Sequence, residues 1–459
     1  MIIIALLLIH LIFLINTRFV LWPEMVVYPY LLNNNFLLYQ DIINPYPPIL
    51  TWFLAIFAKI FGYLPPPYQI LTWVIILIID LSIYIISQKV FKNKLFTLSS
   101  VAFFAVLSIP FGVNGLWFDL VQTPFILWAL YFFYKFLNAK AKNTIKHNFF
   151  ISFLLVTIAF FIKQQILWVA ALFLVFGLSR YKFDVFKFLK NHYLAVLPFC
   201  TLLIFHFVYF FAQDTLTDFA FWVFYFPVFM ASKMPGYILL PSIKQTFVIL
   251  AFFVLFAPII LKKSHVLFLI TGAVLILFAY PRFDYFHLIP VIATIAIVFG
   301  QNLEHLRKSS IGVKGTFLLS LIFLCLFTFR HLNNNWQKGI RFFEQYVLKN
   351  ARVIDLLVEK NEKVYLQNAP DQLLVLSNTV PPKPWVDDFP WYLEVQNLQD
   401  KLIGSLDQDK PRYIIFQPYL EEKKYELGSY RPGDIADYID NNYVNLAKID
   451  NDLFVKIRK

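Results

Sequence analysis

The sequence predicts a mainly α, polytopic membrane helical bundle of about eleven spans, followed by a small C-terminal α/β domain. Of the 459 residues, 59% are hydrophobic and the mean hydropathy is +0.64, beyond the values of ordinary soluble domains. Uncharged stretches such as Ile70–Ile79 and Val266–Ala279 are typical of helices that cross a bilayer. Beyond Arg330 the composition becomes that of a soluble protein. We therefore predict a transmembrane domain over residues 1–331 and a soluble domain over 332–459.

The distribution of basic residues predicts how the spans are oriented. The loops on one side carry 16 Lys and Arg against two acids, and those on the other side carry six Lys and Arg. By the positive-inside rule, the first side is cytoplasmic, in a plasma or inner cell membrane. The N-terminus then lies inside, whereas residues 17–67 (the first outer loop) and the C-terminal tail lie outside. The predicted spans lie near residues 2–16, 68–88, 96–112, 118–134, 149–162, 166–179, 193–211, 245–261, 265–280, 288–302 and 315–331.

The interpretation of two apolar segments depends on this orientation. Pro48–Phe61 is apolar enough to suggest a span, but a crossing there would invert every later loop. We predict instead a helix that lies at the membrane interface, anchored by Trp52 and Lys59. Residues 149–179 could form one helix, but basic loops flank both ends. A hairpin that turns at Lys163-Gln164-Gln165 fits better.

The tail predicts a small α/β domain because strand and helix patterns alternate along it. An amphipathic helix over Trp336–Lys360 would connect it to the last span. The strand candidates are Lys363–Gln367, Leu373–Leu376, Tyr413–Gln417 and Phe454–Ile457, and the helix candidates are Glu394–Leu406 and Asp434–Asn441.

Charge and cysteine content exclude several function classes. The net charge is +12, but residues 332–459 hold 17 Lys and Arg against 19 Asp and Glu, so the basic excess lies in the membrane part. This distribution argues against a nucleic-acid partner. Cys200 and Cys325 both fall in apolar stretches, which predicts neither a disulfide framework nor a thiolate metal site. The N-terminus lacks a basic region and a small-residue cleavage site, so we expect an uncleaved first span.

Two carboxylates stand out in the first outer loop. Only nine Asp and Glu occur in the first 331 residues, and Glu24 and Asp41 are two of them. Acids are costly to desolvate near a bilayer, so both are candidate catalytic residues. Glu24 could act as a general base; the alternative is a solvated loop acid or a charge at a helix N-terminus. Asp41 could be the base, orient an acceptor or bind sugar hydroxyls; the alternative is an Asx-type turn before Asn44-Pro45.

Three cationic or titratable residues at later helix ends are candidates for binding a donor phosphate. Lys163 is a lone cation between apolar helices, and its alternative role is to snorkel to the headgroups. Arg282 suits bidentate phosphate recognition, the alternative being an ion pair with Asp284. His287 lies in the same segment.

For the other polar residues, the sequence gives less support to a functional role. Asp80 and His206 lie inside spans, where a structural hydrogen bond is the stronger interpretation. Asp119, Asp214 and Asp218 are predicted in outer loops and could line a cleft. The tail segment Pro381–Leu393 could stack on sugars, although a packed proline-rich loop is favoured.

The first outer loop resembles that of a known family. Tyr39-Gln40-Asp41, Pro47-Pro48 and Phe61-Gly62 follow an acid placed shortly after the first span. This order resembles the glycosyltransferase C superfamily, in particular bacterial dolichyl-phosphate-mannose-type protein mannosyltransferases and aminoarabinose-transferase-like proteins (family 39 type). Those proteins commonly carry two adjacent acids, where this chain has Pro23-Glu24.

The resemblance implies a membrane glycosyltransferase with a polyprenyl-phosphate sugar donor. The acceptor would be a protein, lipid or glycan at the extracytoplasmic face, and an outer-loop carboxylate would act as base with inversion at the anomeric carbon. Some members of the superfamily use a divalent metal, but the scarcity of acids here favours no metal and no cofactor. The alternatives are a transporter or flippase, or a ligase, for lipid-linked saccharides. If the chain is a transferase, the early acids and later cations should converge on one cavity that opens away from the cytosol.

Overall fold

The computed structural model describes residues 2–234, 237–259, 265–359, 362–387, 390–419, 431–450 and 452–459. The predicted basic pair Lys262 and Lys263 lies outside these residues. The α-helices are α1 (Ile2–Asn16), α2 (Glu24–Asn33), α3 (Ile49–Phe61), α4 (Pro65–Phe91), α5 (Lys94–Leu107), α6 (Phe118–Asn138), α7 (Lys142–Phe160), α8 (Leu167–Arg180), α9 (Val185–His192), α10 (Leu197–Ala212), α11 (Leu216–Ala220), α12 (Ile243–Val254), α13 (Val266–Leu275), α14 (Ile289–Arg307), α15 (Ile311–Asn335), α16 (Gln345–Leu357), α17 (Gln372–Leu376), α18 (Leu398–Asp409) and α19 (Gly433–Asn442). The strands are β1 (Phe19–Leu21), β2 (Gly115–Leu116), β3 (Ile340–Arg341), β4 (Val364–Gln367), β5 (Tyr413–Phe416), β6 (Tyr443–Asp450) and β7 (Leu453–Arg458).

The chain is a multi-pass membrane protein, and every predicted span has a matching helix. Six helices among the described residues are long and apolar enough to cross a bilayer: Pro65–Phe91, Phe118–Asn138, Lys142–Phe160, Val185–Ala212, Tyr285–Arg307 and Ile311–Asn335. The other predicted spans coincide with shorter apolar helices: Ile2–Asn16, Lys94–Leu107, Gln164–Arg180, Ile243–Val254 and Val266–Ala279. The mainly helical fold class is therefore confirmed, while the orientation of the spans stays a prediction.

The helix predicted over Pro48–Phe61 forms as α3. Its 13 residues are about 20 Å long. Leu54 and Ala58 are buried, whereas Ile56 and Ile60 on the opposite face are 63% and 69% exposed. This one-sided exposure of apolar side chains is what a helix at a membrane interface would show.

The described chain forms two compact units. Unit 1 comprises Met1–Val20, Tyr68–His206 and Leu240–Gly339, and unit 2 comprises Leu21–Pro67, Phe207–Leu239 and Ile340–Lys459. Most of the first outer loop therefore belongs to the same unit as the tail. The predicted division at residue 331 stays a prediction about which part lies in the bilayer.

Unit 1 is packed closely where α5 meets α14. The backbone N–H of Gly300 donates to Ser100 Oγ of α5 at 3.1 Å, and Ser87 Oγ of α4 donates to the carbonyl of Ile297 at 2.9 Å. A Cβ atom at Gly300 would overlap the backbone carbonyl of Phe96. Small residues permit such close contact between membrane helices.

Gly300→Ala should therefore destabilise the protein by at least about 2 kcal/mol, because the backbone of α5 cannot move aside as a flexible side chain could. Thermal unfolding of the purified protein in detergent measures the effect. Gly315→Ala in α15 is the matched control, since a Cβ there meets nothing within 4 Å. Equal melting temperatures for the two variants would contradict the close approach of α5 and α14.

Unit 2 contains a four-stranded sheet in the order β4-β5-β7-β6. β4 and β5 are parallel, and the other neighbours are antiparallel. Val364 and Ile415 pack with α16 and α17 on one face, whereas Tyr365 and Ile414 pack with α18 and α19 on the other. Alternate side chains of each strand thus cover two opposite faces, and helices bury both. The predicted α/β region is confirmed.

The structure of the tail differs from the prediction in three places. The long helix over Trp336–Lys360 is replaced by α16 (Gln345–Leu357), because α15 continues to Asn335 and β3 follows it. Leu373–Leu376 belongs to helix α17, since a short apolar run does not distinguish a helix from a strand. Strand β6 was missed because its central residues are exposed and its alternation of apolar and polar side chains is interrupted at Leu446-Ala447, where the strand register shifts.

Candidate functional site

In unit 1, two predicted phosphate-binding residues meet a buried carboxylate. Lys163 Nζ lies 2.7 Å from Asp119 Oδ2, and His287 Nδ1 lies 2.8 Å from the same oxygen. Lys163 Nζ and His287 Nδ1 are 3.3 Å apart. All three residues are buried. We call this group the Asp119 cluster.

Local structure explains why these three side chains meet. Asp119 lies in the first turn of α6, where the helix dipole favours an acid. Lys163 has extended backbone angles at the break between α7 and the short 3₁₀ helix that precedes α8, so the predicted turn at this position is confirmed. His287 lies in a 3₁₀ turn directly before α14. Three helix ends thus bring together one negative and up to two positive groups.

Asp119 has a larger role than the sequence indicated. Sequence analysis placed it only among acids that could line a cleft, whereas the structure makes it the shared partner of Lys163 and His287. An ammonium paired with a buried carboxylate is held in one position, which contradicts the snorkelling alternative for Lys163. The feature of the sequence that could have singled out Asp119 was the scarcity of acids next to predicted spans.

Arg282 lies in the loop that precedes His287. Its side chain is half-buried, and nearby Asp284 accepts a hydrogen bond from the backbone N–H of Tyr285 at 2.6 Å. Gln165 Nε2 donates to the carbonyl of Tyr280 at 2.8 Å, which connects this loop to the turn that carries Lys163. Lys163, Arg282 and His287 therefore belong to two connected loops of unit 1.

In unit 2, Glu24 is the first residue of α2 and is only 5% exposed. Tyr28, one turn later, donates its hydroxyl to Asp387 Oδ2 at 2.8 Å. Burial, with the negative charges of Asp387 and Glu24, raises the pKa of Tyr28 well above its ordinary value, so this phenol stays a hydrogen-bond donor. The pKa of Tyr392 is raised by burial and by the same two carboxylates. Glu24 is therefore a buried acid in a polar group that also contains Asp387, and a fully solvated loop acid is excluded.

Asp41 is held by contacts from the tail. Its Oδ2 accepts hydrogen bonds from Lys383 Nζ at 2.6 Å and from the backbone N–H of Leu37 at 2.8 Å. The backbone N–H of Trp385 donates to the carbonyl of Asp41 at 2.7 Å. The Asx-type turn predicted here is made by Asn44, whose Oδ1 accepts from the N–H of Tyr46. Asp41 instead connects the first outer loop to residues 383–385 of the tail.

In the tail segment Pro381–Leu393, residues 381–387 form a loop and Pro390–Glu394 forms a 3₁₀ helix; Asp388 and Phe389 lie outside the described residues. Trp385, Trp391 and Tyr392 are 3%, 2% and 4% exposed, and they belong to the main apolar core of unit 2. The favoured prediction of a packed loop is therefore confirmed. Sequence reasoning missed that this segment supplies Lys383 to Asp41 and Asp387 to Tyr28 of α2.

Asp80 and His206, which were predicted inside spans, have structural partners. His10 Nδ1 and Asp80 Oδ2 are 2.7 Å apart and fully buried, which confirms the structural hydrogen bond predicted for Asp80. His206 stacks on Phe161 with ring centroids 4.4 Å apart. Among the described residues, no three His, Cys, Asp or Glu side chains are grouped so that they could hold a metal ion. Whether activity requires a metal stays a prediction.

The structure assigns the predicted site residues to both units. Lys163, Arg282 and His287 belong to unit 1, and Glu24 and Asp41 belong to unit 2. Their convergence on one cavity stays a prediction.

Comparisons with known proteins support the resemblance stated above. A model of the dolichyl-phosphate-mannose-protein mannosyltransferase family matches residues 45–197, a segment that contains Asp119 and Lys163. No curated protein matches the sequence significantly.

Three solved structures have a similar fold. ArnT from Cupriavidus metallidurans in the apo state has a TM-score of 0.60 at 10% identity, over 99% of this chain and 96% of ArnT. The same protein bound to undecaprenyl phosphate has a TM-score of 0.62 at 10% identity, over 99% and 97% of the two chains. The oligosaccharyltransferase of Archaeoglobus fulgidus, tethered to an acceptor peptide, has a TM-score of 0.50 at 8% identity, over 100% of this chain and 74% of that protein.

The predicted resemblance to the glycosyltransferase C superfamily is confirmed by the family match together with these structures. At these identities the solved structures establish the fold. The chain therefore shares the fold of ArnT over 99% of its length.

Proposed function

We propose that this protein is a membrane glycosyltransferase that moves a sugar from a polyprenyl-phosphate donor to an acceptor at the extracytoplasmic face. The observation that carries the proposal is a similar fold over 99% of the chain to ArnT, whose structure includes bound undecaprenyl phosphate. The match of residues 45–197 to a family of sugar transferases supports the same reaction class.

Glu24 is the proposed general base. It takes the proton of the acceptor hydroxyl while that oxygen attacks the anomeric carbon of the donor sugar. The bond from that carbon to the phosphate oxygen breaks, and polyprenyl phosphate leaves with the electron pair. The scarcity of acids in the first 331 residues and the burial of Glu24 at the start of α2 support this role. Tyr28, one turn after Glu24, is itself fixed by its hydrogen bond to Asp387.

The residues proposed for the donor phosphate are Lys163, Arg282 and His287. Negative charge grows on the leaving phosphate, and fixed positive groups stabilise it most when they need not reorganise. Asp119 supports this arrangement because it holds the Lys163 ammonium and the His287 ring in place. Asp119 is thus a positioning residue in the proposal.

Donor consumption tests the reaction class. The purified protein is incubated with a panel of polyprenyl-phosphate sugars, each radiolabelled in the sugar, and the loss of label from the lipid is measured. At least one donor should be consumed, with release of polyprenyl phosphate. Movement of intact lipid-linked saccharide across vesicles without consumption would indicate a flippase. Use of only diphosphate-linked oligosaccharides would indicate a ligase.

A separate pair of variants tests the role of Asp41. If Asp41 acts by fixing the loop through Lys383, Asp41→Asn and Lys383→Met should each lower transfer by a similar factor of about ten, because each removes the same charged hydrogen bond. Steady-state transfer kinetics measure both variants. A large loss in Asp41→Asn with near-normal activity in Lys383→Met would assign the base to Asp41 instead.

A further inference from the structure

A cavity of about 350 Å³ lies within unit 2, beside the first outer loop. Small-molecule sites in proteins are typically about 300–1,000 Å³, with apolar and aromatic walls and a few polar groups. This cavity has that character. It is lined by Tyr39, Gln40, Ile43, Thr217, Asp218, Phe221, Trp222, Pro384, Val395, Gln396, Leu398 and Lys401.

One wall is built on an unusual backbone conformation. Tyr39 has a φ of 75°, in the left-handed region that tyrosine seldom adopts. Its ring is fully buried and packs on Phe210 and Phe219 with centroids 5.1 and 5.3 Å away. Its hydroxyl donates to the carbonyl of Tyr46 at 2.9 Å. Such strain persists only when the surrounding packing enforces it, so this wall is rigid.

Another part of the lining comes from a π-helix over Phe221–Met230. Segments of this kind are rare and often occur at functional sites. The first two residues of the π-helix, Phe221 and Trp222, both line the cavity. Trp222 packs edge-on against buried Tyr392 with centroids 5.9 Å apart. The aromatic surfaces are therefore fixed before any ligand binds.

The polar groups at the cavity are varied in chemistry and balanced in charge. Gln40 and Gln396 are exposed amides that can both donate and accept hydrogen bonds. Asp218 and Lys401 carry opposite charges, so the formal charge of the lining is zero. Burial raises the pKa of Asp218, and the nearby charge of Lys401 opposes this shift.

We propose that this cavity is a binding subsite for an uncharged saccharide ring of the acceptor. The apolar C–H face of a sugar would lie against the half-buried ring of Phe221, and its hydroxyls would bond to Gln40, Gln396 and Asp218. The balanced charge of the lining disfavours a strongly acidic or basic sugar, which would leave one charge of the pair unmatched. That the bound saccharide is the acceptor rests on the proposed function, whereas the binding of a saccharide does not.

Direct binding tests this subsite. The full-length protein in detergent is titrated with mannobiose, cellobiose, maltose and chitobiose, and with galacturonic acid and glucosamine as charged probes. Saturation-transfer NMR reports the bound sugars. We expect at least one neutral disaccharide to bind more tightly than both charged probes. Gln396→Ala should weaken that binding about fivefold, as should Gln40→Ala, because each removes one hydrogen bond.

The controls keep this test separate from the test of function. Gln408→Ala, an exposed glutamine in α18 outside the cavity, should bind like the wild type. Phe221→Ala removes the ring on which the sugar would lie and should abolish binding. Its melting temperature is measured too, and Gln40→Ala and Gln396→Ala decide the outcome if it unfolds.

Three results would overturn the subsite: no saccharide binding, a preference for a charged probe, or unchanged binding in both glutamine variants. Donor consumption without saccharide binding would reject the subsite alone. Saccharide binding without donor consumption would reject the proposed reaction alone.

Discussion

Glu24→Gln should lower the rate of sugar transfer by about 10²–10⁴-fold, the range that a general base typically contributes. Glutamine has nearly the same shape as glutamate but cannot take the acceptor proton. Position 24 is buried at the start of α2, so the substitution leaves the packing of the loop intact. Transfer from a radiolabelled polyprenyl-phosphate sugar to its acceptor, with substrates saturating, measures the effect as a loss of kcat.

Two companion variants separate a base from a structural acid. Glu24→Asp keeps a carboxylate and should recover part of the lost rate. Asp387→Asn keeps an acceptor for the Tyr28 hydroxyl, so its effect should be much smaller than that of Glu24→Gln if Asp387 only positions the group. Full activity in Glu24→Gln, with an unchanged melting temperature, would remove Glu24 from the mechanism.

Lys163→Met should affect both stability and transfer. Removal of the ammonium leaves Asp119 buried beside an apolar side chain, which we expect to cost about 3–5 kcal/mol in the free energy of unfolding. If Lys163 also binds the leaving phosphate, kcat should fall by about 10²–10³-fold, as for the loss of a group that stabilises developing charge. Thermal unfolding and transfer kinetics on the same preparation measure the two effects.

A double variant distinguishes these two roles. Asp119→Asn together with Lys163→Met removes the buried charge and should recover most of the lost stability. Activity should stay low, because no ammonium remains near the phosphate. Recovery of both stability and activity would assign Lys163 a purely structural role. Lys163→Arg keeps a positive charge and should retain more activity than Lys163→Met.

The structure changed the interpretation of Asp41 more than that of any other predicted residue. Its carboxylate accepts a hydrogen bond from Lys383, a residue of the tail. A role of Asp41 in holding the loop can therefore be tested against a role as the base. Besides the three functional roles, sequence reasoning weighed only a local turn as the structural alternative, because nothing in the neighbouring residues indicates a partner 342 positions away in the chain.

Local patterns in the sequence were enough to predict the membrane class, the helices that match the spans, the break at Lys163, the short helix α3 and most strands of the tail. Each of these depends on residues within one or two turns of each other, where hydrophobic periodicity and turn residues act directly. The partners of the functional side chains required the folded chain. Lys163 and His287 reach Asp119 across 44 and 168 positions, and Tyr28 reaches Asp387 across 359. Packing between helix ends and loops creates these contacts. Local sequence patterns do not indicate which distant segments will come into contact.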